Sequence, residues 1–165
     1  MTTQASTQGT VQVYRVSIAA SAQAIWDAIT TPEWTERYGY RAPAHYELRP
    51  GGEYRSLATA QMREFGAPEV VVDGEVIEAD PPRRLVQTWR MLFVQELVDE
   101  GFTRLTWEID EGPDGVSTLT VTHELEGAPK HAHAVSGKDP QAGGGWPGVL
   151  DDLKSLLETG SPLDA

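Results

Sequence analysis

The sequence predicts an α+β fold in which an antiparallel sheet packs against one long C-terminal helix, with two short helices after the first strand. Three observations predict it. Between residues 50 and 125, apolar and polar residues alternate in runs separated by turn signals, the mark of an antiparallel meander. Near the C-terminus, Val149, Leu150, Leu153, Leu156 and Leu157 fall on one stripe of a helix. The strands are apolar on one face only, and a sheet wet on one side needs a cover on the other, which this helix is long enough to supply.

Each element follows in order. The opening MTTQASTQG is small and polar and reads as a disordered tail over residues 1–10. VQVYRVSI is the first strand, ending near Ile18. In SAQAIWDAIT, Ser21 caps a helix with Ile25, Trp26 and Ile29 on its apolar side; Thr31-Pro32 ends it, and PEWTERY forms a second short helix. Turns at Gly51-Gly52, Asp80-Pro81-Pro82 and Pro113-Asp114-Gly115 divide the strands that follow. In TRLTWEI, Leu105, Trp107 and Ile109 oppose Arg104, Thr106 and Glu108; in TLTVTHEL, Leu119, Val121, His123 and Leu125 oppose Thr118, Thr120, Thr122 and Glu124. Residues 127–145 show no period and read as a long loop. Pro147 suits a first helical turn and Gly160 a left-handed stop, so the last helix spans about 147–159. A single domain over 11–159 is expected, with 160–165 as a C-terminal tail.

Composition excludes several function classes. The charge of −12, from 25 acidic and 13 basic residues, repels phosphate backbones and anionic headgroups, so no nucleic-acid partner is expected. With no cysteine there is no disulfide, thiolate nucleophile or Cys-ligated metal. No apolar run is long enough to span a membrane, and the N-terminus lacks the pattern of a signal peptide, so no membrane insertion and a cytoplasmic location are expected.

IAASAQAIWDAITTPEW, RPGGEYR, DGEVIEADPPRRLVQTWR, TRLTWEI, STLTVTHEL and GWPGVLDDLKSLLE, in that order, resemble the activator-of-heat-shock-protein-90-ATPase homologue-like group of the START or birch-pollen-allergen-like (SRPBCC) superfamily. The resemblance covers about Val11 to Glu158. It implies a helix-grip fold, in which a curved antiparallel sheet wraps the long C-terminal helix and leaves a cavity between them. Members bind lipids, steroids or polyketides, cyclise polyketides, or assist a chaperone. Some bacterial relatives protect producers of reactive enediyne metabolites, and Gly145-Trp146-Pro147 is similar to their spelling.

Inward positions of such a sheet decide what the cavity holds. Leu85, Gln87, Trp89 and Met91 share the inward face of RLVQTWRM. Gln87 there either orients a ligand or is paired internally. His123 is the one histidine that periodicity places inside, as ligand contact, general base or satisfied core residue. His131 and His133 suggest part of a metal site, but with no third ligand at a fixed spacing a solvated loop is expected. Asp151-Asp152 reads as charge placed to offset the helix dipole. Trp34, Tyr38, Tyr40, Tyr54, Trp89, Trp107 and Trp146 complete the candidate ligand-binding set as aromatic walls or portal residues. Gly143-Gly144-Gly145, before the last helix, either hinges a lid over residues 130–145 or allows a close backbone approach.

The chain has no nucleophile elbow, phosphate loop or HExxH, so no catalytic residue, cofactor or metal is expected. The expected function is binding of a hydrophobic small molecule, namely a lipid, polyketide or aromatic metabolite, by a monomer or weak dimer. The alternatives are a protein-interaction module that modulates a chaperone ATPase in a stress response, and a polyketide cyclase-like enzyme or self-resistance protein of a natural-product producer.

Overall fold

A computed structural model describes residues 3–163. Eight antiparallel strands form one sheet: β1 (Gln4–Gln8), β2 (Val11–Ile18), β3 (Ala44–Tyr46), β4 (Glu53–Leu57), β5 (Val70–Asp80), β6 (Arg84–Met91), β7 (Thr103–Glu111) and β8 (Ser117–Glu124). Their spatial order is β1-β2-β8-β7-β6-β5-β4-β3. Two helices, α1 (Ala22–Thr30) and α2 (Pro32–Thr35), follow β2; the Ser21 hydroxyl accepts the Ala24 N–H at 3.1 Å, as an N-cap should. The last helix, α6 (Gly145–Thr159), lies on the sheet, with Gly160 at φ 87° closing it through a bond from its N–H to the Leu156 carbonyl.

The expected core face is the observed one. Leu105, Trp107 and Ile109 of β7, with Leu119, Val121 and His123 of β8, are buried against Leu150, Leu153 and Leu156 of α6 and Ile25, Trp26 and Ile29 of α1. Register places Gln87 beside Leu105, and His123 between Leu105 on β7 and Gln12 on β2. The sheet's centre therefore carries two polar side chains among apolar ones.

Four expectations are corrected. Residues 4–8, read as a disordered tail, form β1, paired with β2 from Gln4↔Arg15 to Gln8↔Val11. All five β1 residues are exposed, so main-chain bonding alone holds the strand and leaves no hydrophobic period. Residues 127–145, read as loop, contain α5 (Pro129–Val135). Two further short helices, α3 (Ala60–Glu64) and α4 (Gln95–Glu100), interrupt the meander. Asp151 and Asp152 lie beyond the first turn of α6 and are buried; Asp151 accepts the Thr3 N–H and hydroxyl, and Asp152 accepts the Gly39 N–H at 3.2 Å, so they tie the helix to other segments. Among the described residues, no helix is long and apolar enough to cross a membrane.

Candidate ligand cavity and its aromatic wall

A cavity of about 1140 Å³ runs from the sheet interior to the surface beneath α6. Its wall is built by strands: Tyr46 from β3, Tyr54 and Ser56 from β4, Val72 from β5, Trp89 from β6 and Trp107 from β7. Alternation on each strand turns these side chains to one face. Trp146 and Val149 of α6 and Tyr38 close it from above, and Tyr40 with α4 and α5 surrounds the opening. The Tyr46 and Tyr54 rings stack with centroids 4.5 Å apart, and Trp107 meets Trp146 edge-on at 5.3 Å.

His123 is completely buried and holds this wall together. The Trp146 indole Nε1–H donates to His123 Nδ1 at 3.0 Å. Thr103 gives its hydroxyl hydrogen to the Trp89 carbonyl at 2.6 Å, so its oxygen accepts from His123 Nε2–H at 2.7 Å. Both ring nitrogens are engaged by a neutral imidazole. Burial, with His131 acting in the same direction, pushes the His123 pKa down to about 3. A general base needs a free nitrogen facing substrate, and His123 offers none.

His131 is also fully buried, which corrects its reading as part of a solvated loop. Met91 donates its N–H to His131 Nε2 at 2.8 Å, so His131 Nδ1–H donates to Glu100 at 2.7 Å. Glu100 accepts two more bonds, from the N–H groups of Lys130 and His131. Burial pushes the Glu100 carboxyl up, but the His131 ring and these N–H groups outweigh it and hold it below the usual range. The pair clasps α4 to α5 at the cavity mouth, whereas His133 is exposed there. The described residues contain no group of three or more His, Asp or Glu placed to hold a metal ion.

The glycine run meets the mouth at its tightest point. Tyr40 donates its hydroxyl hydrogen to the Ala142 carbonyl at 2.6 Å and accepts the Gly145 N–H at 2.9 Å. A Cβ on Gly143 would lie 2.8 Å from the Tyr40 ring, and one on Gly145 only 2.4 Å from the Val135 carbonyl oxygen. Both glycines have positive φ, at 79° and 61°. Close approach is therefore sufficient reason for them.

The family profile described as Activator of Hsp90 ATPase homolog 1-like protein matches residues 19–158. The chain belongs to that family. No curated protein matches it. Among solved structures, CalU16 from Micromonospora echinospora superposes with a TM-score of 0.63 at 19% identity, over 98% of this chain and 75% of that one. DynU16, a protein in the dynemicin biosynthetic locus, gives 0.65 at 24% identity, over 94% of this chain and 49% of that one. PFC0360w, an HSP90 activator from Plasmodium falciparum, gives 0.55 at 18% identity, over 94% and 92%. At these identities the likeness is one of fold.

In this Activator of Hsp90 ATPase homolog 1-like chain, six of the aromatic candidates line the cavity: Tyr38, Tyr40, Tyr54, Trp89, Trp107 and Trp146. Three candidates do not. Trp34 is half-buried on α2 with the Arg37 guanidinium 4.6 Å over its ring, and His123 lies behind Trp89 and Trp146. Gln87 has no exposed surface and accepts from Tyr46 at 2.9 Å and from the Trp107 indole at 3.0 Å. Tyr46 and Ser56 also line the cavity but carry no signal in the sequence, because their positions in AHY and EYRSL alternate correctly on strands too short to display a period. The Glu100–His131 clasp leaves no local signal either, since it joins residues 31 apart in the chain.

Proposed function

We propose that the chain binds a hydrophobic small molecule between its sheet and α6. The single observation that supports this reading is the cavity itself: about 1140 Å³, lined by three tryptophans and four tyrosines and open to the surface. Such a volume lies just above the usual range of small-molecule pockets, and an apolar wall of this size favours an apolar guest through the water both surfaces release. A cyclase-type reaction finds no support at His123, whose nitrogens are both occupied. The likeness to DynU16 accords with a guest from natural-product chemistry. Titration with the neutral dye Nile red tests the reading: saturable one-site binding is expected, and Ala44→Trp, which places an indole in the cavity from β3, should abolish it while circular dichroism is retained. Equal binding by the two proteins would reject it.

A second reading, modulation of a chaperone ATPase, draws on exposed apolar side chains around α4: Phe93, Val94 and Phe102, the last 53% exposed. Large exposed apolar groups at the two ends of one short helix suit protein contact. Calorimetric titration against an Hsp90-type chaperone, with Phe102→Ser as the comparison, tests it; no heat of binding from either protein would exclude it.

A further inference from the structure

The hydrogen-bond inventory at the deep end of the cavity is out of balance. Tyr46 and Trp107, both lining the wall, give their hydrogens to a single oxygen, Gln87 Oε1. Gln87 Nε2 is buried and has no acceptor. Exchanging the amide's oxygen and nitrogen does not cure this, because the Trp107 indole only donates and would then face another donor. Buried polar groups are nearly always paired, so an orphan amide next to a cavity marks a place where something else supplies the oxygen.

We propose that the cavity takes a flat, uncharged aromatic ligand bearing a carbonyl oxygen, and that this oxygen accepts the unmatched hydrogens of Gln87. The inference rests on the small-molecule reading above and specifies its ligand class. Flatness follows from the walls, where the indoles of Trp89 and Trp107 and the Tyr54 ring line the cavity with flat apolar faces. Neutrality follows from the surroundings. The lining cations Arg41 and Lys130 belong to the loop after α2 and to α5, whereas burial keeps the Tyr46 and Tyr54 hydroxyls protonated. An anion at Gln87 would sit buried without a counter-charge.

Access is through Tyr46. Trp107 is held on β7 between two neighbouring strands, but Tyr46 sits on β3, a three-residue edge strand that pairs with β4 on one side and is otherwise tied by the bond from the Ala44 N–H to the Thr35 hydroxyl. Its ring is the movable part of the wall in front of Gln87. A ligand oxygen that enters there replaces no bond of the amide nitrogen, since none exists.

Fluorenone and fluorene provide the test, because they share one flat skeleton and differ by a carbonyl in place of a methylene. Nuclear magnetic resonance titration of the whole protein, read at the indole N–H signals, yields both affinities. The unmodified protein should prefer fluorenone by about tenfold, the value of one hydrogen bond to a buried donor. Gln87→Leu should lose that preference while still binding fluorene. The carbonyl stretch of fluorenone bound to the unmodified protein should also fall below its value in hydrocarbon solvent, a readout that needs no variant. Equal affinities for the two compounds, a preference that survives in Gln87→Leu, or a stretch unchanged from hydrocarbon would each overturn the inference while leaving small-molecule binding intact. If neither compound moves an indole signal, the small-molecule reading falls and the inference falls with it.

Discussion

Trp146 donates its indole hydrogen to His123 Nδ1 at 3.0 Å, which fastens the first turn of α6 to the middle of the sheet. The bond requires an unprotonated Nδ1. His123 has a folded pKa of about 3, below its ordinary value of 6.5, so it contributes stability that is full above about pH 6.5 and is lost as the pH falls toward 3. Over that window the unfolded chain binds a proton that the folded chain refuses, which makes stability rise with pH by up to about 1.4 kcal/mol per pH unit. Denaturant unfolding of His123→Gln between pH 4 and pH 7 should show a slope smaller by up to that amount. Identical slopes would mean that His123 is not held neutral.

The glycines before Trp146 differ sharply in their surroundings. Gly145→Ala must take a left-handed backbone and drive its Cβ into the Val135 carbonyl, and should destabilise by at least about 2 kcal/mol. Gly148, inside α6 with nothing within 4 Å of a Cβ, is the control: Gly148→Ala should stabilise by about 0.5–1 kcal/mol. Thermal unfolding of the two variants reads this directly. Like effects from both would return the glycine run to the role of a hinge.

Leu153 has no exposed surface, and its removal opens space at the core of the helix–sheet contact. Leu153→Ala should cost about 2–5 kcal/mol. Asp152→Ala, which forfeits one bond from the Gly39 N–H, should cost about 1 kcal/mol. Urea midpoints that ranked the two variants the other way would show that α6 is held more by its polar ties than by its apolar stripe.

Glu100 accepts three hydrogen bonds from α5, and its carboxyl is held below the usual range. A depressed carboxyl contributes stability above its unfolded pKa and loses it as the pH falls through the folded value. The protection factors of the Lys130 and His131 amides, taken relative to intrinsic exchange at each pH, should therefore fall under acid conditions below the ordinary carboxylate range. They should fall at neutral pH in Glu100→Gln, while β7 and β8 amides stay protected. Unchanged exchange in the variant would show that the clasp does not hold α5.

What the sequence disclosed, and what it hid, follows from how each feature is encoded. The core faces of β7 and β8 and the stripe of α6 were legible because burial on one side imposes a period over eight or more residues. β1 was not, since its five exposed side chains satisfy only the backbone. α5 was hidden because seven residues starting at Pro129 carry less than two full turns of pattern. Inward placement of Gln87 and His123 could be read from alternation, but their partners come from other strands and from α6, and pairing of that kind leaves no mark in local sequence. Trp34 shows the converse: an aromatic residue close in sequence to the cavity residues is engaged by Arg37, in the turn that follows α2.

The chain's five tryptophans report directly on binding between the sheet and α6, because Trp89, Trp107 and Trp146 line the cavity whereas Trp26 and Trp34 do not. With each indole N–H signal assigned, a saturating apolar aromatic compound is added to the nitrogen-15-labelled protein. The signals of Trp89, Trp107 and Trp146 should move together along one binding curve while those of Trp26 and Trp34 stay in place. Shifts confined to Trp34, or five signals that do not move, would contradict binding between the sheet and α6.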